Sequence, residues 1–180
     1  MNRDSPNEGR FAAGEEAGRL VSRFGLAPHP EGGFYREVYR AAETVTHPAI
    51  PEEQDARRAA ATHIYFLLPA DAFSAFHRVV SSDEIWHLYA GGDLELHLIH
   101  ADGRYEKRLL SADPTTGEPM AIVEAGCWQA ARVAPGGAWS FGGCTVAPGF
   151  DFADFEMPAA ENLLRHHPQL EMIIRELTRR

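Results

Sequence analysis

Two residues with the chemistry of an active site, His77 and Glu84, lie seven residues apart on neighbouring apolar segments of the chain. An imidazole and a carboxylate can share a proton as base and acid, or they can bind a divalent metal together. If the two segments pair as in a hairpin, both side chains can face the inside of a barrel. A buried hydrogen-bonded pair without a chemical role is the competing interpretation.

Four further candidates lie on the same and neighbouring segments. Trp86 shares the parity of Glu84, so it would either stack on a ring-shaped ligand or fill the core. His87 has the opposite parity, so a regular strand directs it to solvent or a neighbouring subunit, and a bulge would bring it to the pocket. Tyr65 and Tyr89 are proposed from residue type alone as acids that return a proton.

A pair of glycines precedes a second candidate segment. The glycines allow a close backbone approach or a positive φ. Alternation then places Phe34, Arg36 and Val38 on one face, which we predict to be the inner face. An inward arginine needs an anionic partner, which would be a ligand, Glu37 or Glu84. The competing interpretation is a turn followed by an edge strand with an exposed arginine.

Asp151 is a candidate for the mouth of the pocket. It follows the turn signal Pro148-Gly149 and begins the alternating stretch DFADFE. Its carboxylate would close the pocket and contact a ligand. The competing interpretation is a last strand that packs its phenylalanines while its acids are solvated.

Short strands dominate the middle of the chain, and they must position these side chains. Alternating or β-branched segments recur at intervals of about 8–12 residues from Phe34 to Val146, separated by turn signals such as Gly91-Gly92. Before them, 15–24 has a helical pattern, and 160–178 contains an apolar helical stripe that includes Ile174. The pattern predicts a mainly β sandwich or barrel with a short N-terminal helix and C-terminal helices.

The bulk composition narrows the possible functions. The 180 residues suit one domain over 14–180 after a polar, disordered tail over 1–13. A formal net charge of -9 without a basic run argues against nucleic-acid binding. No apolar run approaches the roughly 20 residues of a membrane span. The N-terminus lacks the apolar core of a signal peptide, so we predict a cytoplasmic location. The partner that we predict is a small-molecule ligand in the pocket.

Several segments resemble one known family. The stretch FHRVVSSDEIWHLYAGGDLELHLI at 76–99 resembles the first sequence motif of the cupin superfamily. Together with HPEGGFYREVYR at 29–40, EAGCWQAAR at 124–132 and GCTVAPGFDFADFEM at 143–157, it resembles the cupin-5 group, also called DUF985. The resemblance implies a double-stranded β-helix, the jelly-roll barrel of the cupins.

The chain departs from the cupin motifs at metal-binding positions. His77 and Glu84 take the first histidine and the glutamate positions of the first motif. Val79 stands where that motif has its second histidine. Gln129 stands where the second motif has its histidine, and Gly126 is retained. The resemblance therefore implies at most a divalent metal held by His77, Glu84 and Gln129.

The resemblance leaves three functions open. Cupins that epimerise nucleotide-linked deoxysugars use a barrel histidine as a base without metal. This implies an isomerase- or epimerase-type proton transfer by His77, oriented by Glu84, on a polar, anionic or sugar-like metabolite. The same pocket without turnover would serve ligand binding or sensing. The third function is a metal-dependent oxygenase or isomerase.

Cupins commonly pair. An N-terminal arm and the apolar stripe of the C-terminal helix would suit a twofold homodimer.

Overall fold

The computed structural model describes residues 6–47, 50 and 56–179. The elements are α1 (Pro6–Phe24), β1 (Ala27–Pro28), β2 (Phe34–Arg40), β3 (Thr44–Thr46), β4 (Arg57–Ala59), β5 (Thr62–Pro69), β6 (Phe73–Val79), β7 (Asp83–Gly91), β8 (Leu94–Ile99), β9 (Tyr105–Leu110), β10 (Met120–Val123), β11 (Trp128–Val133), β12 (Trp139–Ala147), β13 (Phe155–Glu156), α2 (Ala160–His166) and α3 (Glu171–Glu176), with 3₁₀ turns at Phe152–Asp154 and Pro168–Leu170.

Helix α1 begins at Pro6, earlier than the predicted start at Glu15, and proline is tolerated in the first turn of a helix. Residues 1–5 of the predicted tail lie outside the described residues.

Two antiparallel sheets form the body of the domain. The first has the strand order β1-β2-β5-β12-β7-β10, and the second has the order β13-β6-β11-β8-β9. Strands β3 and β4 form a separate two-stranded sheet. The predicted mainly β jelly roll with terminal helices is confirmed. None of the described helices is both long and apolar enough to span a membrane.

Apolar side chains fill only one part of the space between the sheets. The buried cluster there joins both inner faces and consists of Phe66, Leu68, Trp86, Leu88, Leu94, Leu96, Leu98, Leu110, Ala121, Val123, Cys127, Ala131, Val133 and Cys144. Both cysteines, Cys127 and Cys144, are free thiols buried in this cluster. The rest of the interior contains a cavity lined by both polar and apolar side chains, which is described below.

The C-terminal helices cover the outer face of the five-stranded sheet. Ile174 and Leu177 are buried against Phe76 and Ile99 of the same chain. The apolar stripe is therefore used within the domain and is not available for pairing. The homodimer stays a prediction.

The predicted orientation of β2 is wrong. Phe34 packs with Phe24 of α1 in an apolar cluster on the outer face of the six-stranded sheet, and Arg36 is exposed on the same side. Tyr35 and Glu37 instead line the interior. Alternation correctly separated Phe34 and Arg36 from Tyr35 and Glu37, before the register shift that follows Glu37. Packing against the apolar side of α1 determines which of the two faces lies outside.

Two glycines bring Glu31 into the barrel. Gly32 and Gly33 have φ values of 123° and 69°, which non-glycine residues rarely adopt. A Cβ at Gly32 would overlap the carbonyl oxygen of Phe73. Arg179 links the two segments at this point, because its Nη2 donates to the carbonyl oxygens of Glu31 and Phe73 at 2.8 and 3.1 Å.

Replacing Gly32 by alanine should lower the free energy of unfolding by about 2–3 kcal/mol, because alanine is strained there and its methyl group meets backbone. The control is Gly18→Ala on α1, where an added Cβ meets nothing within 4 Å. It should leave stability unchanged or raise it by up to about 1 kcal/mol. Urea unfolding measures both, and equal midpoints would show that the backbone tolerates a side chain at position 32.

Candidate functional site

A cavity of about 390 Å³ occupies the part of the barrel that the apolar core leaves open. Its volume suits a small metabolite. The buried polar groups of the lining are Glu31, His77, Glu84, Thr62 and Cys144, with His29 beside Glu31. The walls are formed by Tyr35, Ile64, Val79, Val146, Phe150, Phe152 and Phe155. Glu37, Arg40 and Asp151 form a more exposed rim.

His77 has one ring nitrogen available for chemistry. Its side chain is 2% exposed and its ring stacks on Phe155, with 5.4 Å between the ring centroids. Nδ1 lies 2.8 Å from the carbonyl oxygen of Ala75. A carbonyl only accepts, so Nδ1 carries a proton and donates it. Nε2 is left facing Glu31, whose Oε2 is 3.3 Å away.

Glu31 is the functional residue that the sequence analysis missed. Ser74 donates its hydroxyl to Oε1 at 2.8 Å, and Nδ1 of His29 lies 3.3 Å from Oε2. Burial by itself would raise the pKa of this carboxyl, but the charge of His77 and the contacts with His29 and Ser74 outweigh burial and lower it. The lowered pKa keeps Glu31 ionised at neutral pH, with its Oε2 facing Nε2 of His77. The double glycine after it was the signal in the sequence.

The pKa of Glu84 is shifted in the opposite direction. Burial raises its pKa, and the negative charge of Glu31 raises it further. The charge of His77 and a hydrogen bond from Gln129 oppose this rise without cancelling it. The cavity thus contains one carboxyl group with a lowered pKa beside a second with a raised pKa.

Trp86 and Gln129 lie behind Glu84 and do not line the cavity. The indole Nε1 of Trp86 donates to Oε1 of Gln129 at 2.7 Å, and Nε2 of Gln129 donates to Oε2 of Glu84 at 2.6 Å. The ring of Trp86 packs edge-on against Phe66 in the apolar core. The predicted direct contacts of both residues with a ligand are wrong, because the polar groups of both side chains take part in the hydrogen bonds that lead to Glu84.

The predicted metal set does not fit this geometry. Gln129 would bind a cation through its carbonyl oxygen, which instead accepts from Trp86. Val79 adds an apolar wall where the motif has an imidazole. Within residues 6–47, 50 and 56–179, no group of three or more His, Cys, Asp or Glu side chains is arranged to hold a metal ion.

Tyr65, His87 and Tyr89 lie on the outer face of the six-stranded sheet. Tyr65 packs against Phe24 and Phe141. His87 Nε2 is 3.2 Å from the hydroxyl oxygen of Thr145, and Tyr89 is 44% exposed.

The predictions that these three residues serve the pocket are wrong. Strand β7 alternates regularly from Glu84 to Leu88, so Glu84 and Trp86 face inward and His87 faces outward. Tyr89 lies at the irregularity that follows and faces the same outer side as His87, with which its ring stacks.

The mouth of the cavity is held by a buried ion pair. Asp151 lies at the exposed rim, and its ligand contact stays a prediction. Asp154 follows in the 3₁₀ turn, where Arg58 of β4 bonds both its carboxylate oxygens at 2.7 and 2.9 Å. Arg58 and Asp154 are each 7% exposed, so this pair fixes the aromatic segment from Phe150 to Phe155 against the two-stranded sheet.

Comparisons with known proteins agree with this architecture. Residues 18–158 match the sequence profile of the family described as Cupin_5, Cupin superfamily (DUF985). An uncharacterized protein of Saccharomyces cerevisiae is 27% identical over 158 residues, which cover 82% of this chain and 78% of the yeast protein. A hypothetical protein from Leishmania major has a solved structure with a TM-score of 0.83 and 33% identity, covering 91% of this chain and 99% of that one. A structure from Shewanella oneidensis has a TM-score of 0.78 and 34% identity, covering 89% and 96%.

Arg58→Ala should lower the free energy of unfolding by about 3–5 kcal/mol, because it leaves the buried Asp154 carboxylate without its partner. Arg175→Ala is the matched control, since its pair with Glu171 is exposed on α3. It should cost less than about 0.5 kcal/mol. Urea unfolding of both variants tests this, and similar losses would show that the buried pair does not hold the mouth.

Glu31→Gln and Glu84→Gln should change the pH dependence of stability in opposite directions. The lowered pKa of Glu31 adds stability above the ordinary glutamate value of 4.5, and this stability is lost as the pH falls through the lowered pKa. The raised pKa of Glu84 adds stability that is present below 4.5 and is lost as the pH rises through the raised pKa.

At pH 7, Glu31→Gln should therefore melt below the unmodified protein, and Glu84→Gln should melt at the same temperature or above it. The Glu84→Gln difference should shrink as the pH falls toward 4.5, whereas the Glu31→Gln difference should shrink only below 4.5, as the pH falls through the lowered pKa. Melting temperatures from the lowest pH at which the protein folds up to pH 8 measure this. A lower melting temperature for Glu84→Gln at pH 7 than at pH 4, each relative to the unmodified protein, would contradict the assignment of Glu84 as the protonated group.

Proposed function

The chain belongs to the Cupin_5 family (DUF985) of the cupin superfamily, and we propose that its cavity catalyses an isomerase- or epimerase-type proton transfer on a small, sugar-like metabolite. One observation carries the proposal: Glu31, His77 and Glu84 share a buried cavity, and the pKa values of its two carboxyl groups move apart. Environments that separate two such groups are those in which one serves as acid while the other stays charged.

The arrangement assigns a role to each group. Nε2 of His77 takes a proton from a carbon next to a carbonyl, and the Glu31 carboxylate stabilises the imidazolium that forms. The electron pair of the broken C–H bond forms a C=C bond, and the carbonyl oxygen takes the proton of Glu84. The resulting enediol collapses to the isomer when Glu84 takes the proton of the neighbouring hydroxyl group and the imidazolium returns the other proton to the former carbonyl carbon. All protons are accounted for within the substrate and the two residues.

The lining favours a neutral substrate among the polar metabolites. Tyr35 and the three phenylalanines of the wall, Phe150, Phe152 and Phe155, offer faces on which the C–H side of a sugar can pack. Arg40 at the rim is already bonded by both its Nε and Nη2 to Glu37, at 2.9 and 2.7 Å. An anionic group would have to displace that carboxylate, while the hydroxyl groups of a neutral sugar can donate to the carboxylates present.

Proton NMR in deuterium oxide tests this function with a panel of aldoses, ketoses and deoxysugars, together with their phosphate esters. We expect deuterium to enter at least one neutral member at the carbon next to the carbonyl. His77→Gln and Glu84→Gln should each slow this exchange by at least about 100-fold. His87→Gln, on the outer face of the same sheet as Glu84, is the control and should leave the rate within about twofold.

The outcomes separate the possible functions. Exchange that persists in His77→Gln would overturn the assignment of the base. Exchange confined to phosphate esters would overturn the neutral substrate class. A sugar that raises the melting temperature without exchanging would favour the non-catalytic binding function over catalysis.

A further inference from the structure

A chain of hydrogen bonds links the two sheets directly behind Glu84. Trp86 and Glu84 are two residues apart on β7 of the six-stranded sheet, and Gln129 reaches them from β11 of the five-stranded sheet. The side chains of Trp86, Gln129 and Glu84 are buried, with 2%, 1% and 7% exposure. Water therefore does not compete for their polar atoms.

The direction of this chain follows from its first member. An indole N–H can only donate, so the Gln129 atom 2.7 Å from it must be the amide oxygen. This determines which end of the amide is nitrogen, and the NH₂ group therefore points at Oε2 of Glu84, 2.6 Å away. A hydrogen on Oε2 would collide with that NH₂ group, whereas a lone pair on Oε2 accepts from it.

We infer that Trp86 and Gln129 are positioning residues that place the proton of Glu84 on Oε1, the carboxyl oxygen that Gln129 does not contact. This inference rests on the proposed function in giving Glu84 the role of acid. It adds that the acid has a fixed direction. If the two oxygens of Glu84 were equivalent, the proton would be on the oxygen nearer the substrate in only a fraction of the protein molecules. The hydrogen bonds from Trp86 to Gln129 and from Gln129 to Glu84 favour one position of the proton.

Among the described residues, three other titratable groups face Glu84. They are His77 on β6, Glu31 in the segment before β2 and Cys144 on β12. Burial and the nearby carboxylates raise the pKa of the Cys144 thiol well above its usual range, so it stays neutral. His77 and Glu31 act on Glu84 through their charge, and Cys144 acts through a hydrogen bond from its thiol. The hydrogen bond from Gln129 has its direction fixed by Trp86.

The test follows the titration of Glu84 itself by carbon-13 NMR of the glutamate carboxyl groups, with the signal assigned by its loss in Glu84→Gln. Gln129→Met removes the donor to Oε2 and should raise the pKa of Glu84 by about one unit. Trp86→Phe should shift it in the same direction, because the released amide can turn its oxygen toward Glu84. Trp128→Phe, next to Gln129 but on the outer face of β11, is the matched control and should leave the titration unchanged.

A second measurement separates positioning from a general structural effect. In the exchange assay, activity should fall as the pH rises through the pKa of Glu84, and Gln129→Met should move this fall upward by the same amount as the NMR titration. Either variant alone suffices if the other does not fold. An unchanged Glu84 titration in the folded variant overturns the inference. A shifted titration without exchange on any sugar supports the positioning of Glu84 and overturns the proposed function instead.

Discussion

The burial of a negative charge at Glu31 is the constraint on which the cavity depends. A carboxylate removed from water is destabilising by several kcal/mol unless hydrogen-bonding or charged groups surround it. Ser74 and His77 provide such groups from β6, and His29 provides another from the segment before β2. These contacts close the edge of the barrel over the polar part of its interior. They also explain the double glycine, since any side chain at Gly32 would push Glu31 away from its partners.

The charge on Glu31 also determines the state of Glu84. Two carboxylates in one cavity of low dielectric constant repel each other, and burial independently favours the neutral form. The positive charge that His77 can carry compensates one carboxylate, and Glu31 is the nearer partner because its Oε2 lies 3.3 Å from Nε2. The arrangement therefore keeps Glu31 ionised beside His77 and favours the proton on Glu84. The difference between the pKa values of the two carboxyl groups therefore follows from which of them lies beside His77.

Much of the fold and part of the site follow from the sequence, and the failures share a cause. Alternation on β7 correctly separates Glu84 from His87, because only one side of that strand carries groups that suit the interior. On β2 both faces carry aromatic residues, so alternation could not choose between Phe34 and Tyr35 as the inward residue. Helix α1 makes that choice through tertiary packing. Glu31 was missed for the same reason, since its position depends on a segment that folds back across the sheet edge.

The replacement of metal ligands and the appearance of a neutral acid are two effects of the same residues. A dication between His77 and Glu84 would require Glu84 to lose its proton and Gln129 to turn its oxygen away from Trp86. Val79 adds no donor and extends the apolar wall, which lowers the local dielectric constant. That same apolar surrounding raises the pKa of Glu84. Val79 therefore makes the barrel a poorer metal site and favours the protonated form of Glu84, whereas the hydrogen bond from Gln129 lowers the pKa of Glu84 and fixes the orientation of its carboxyl group.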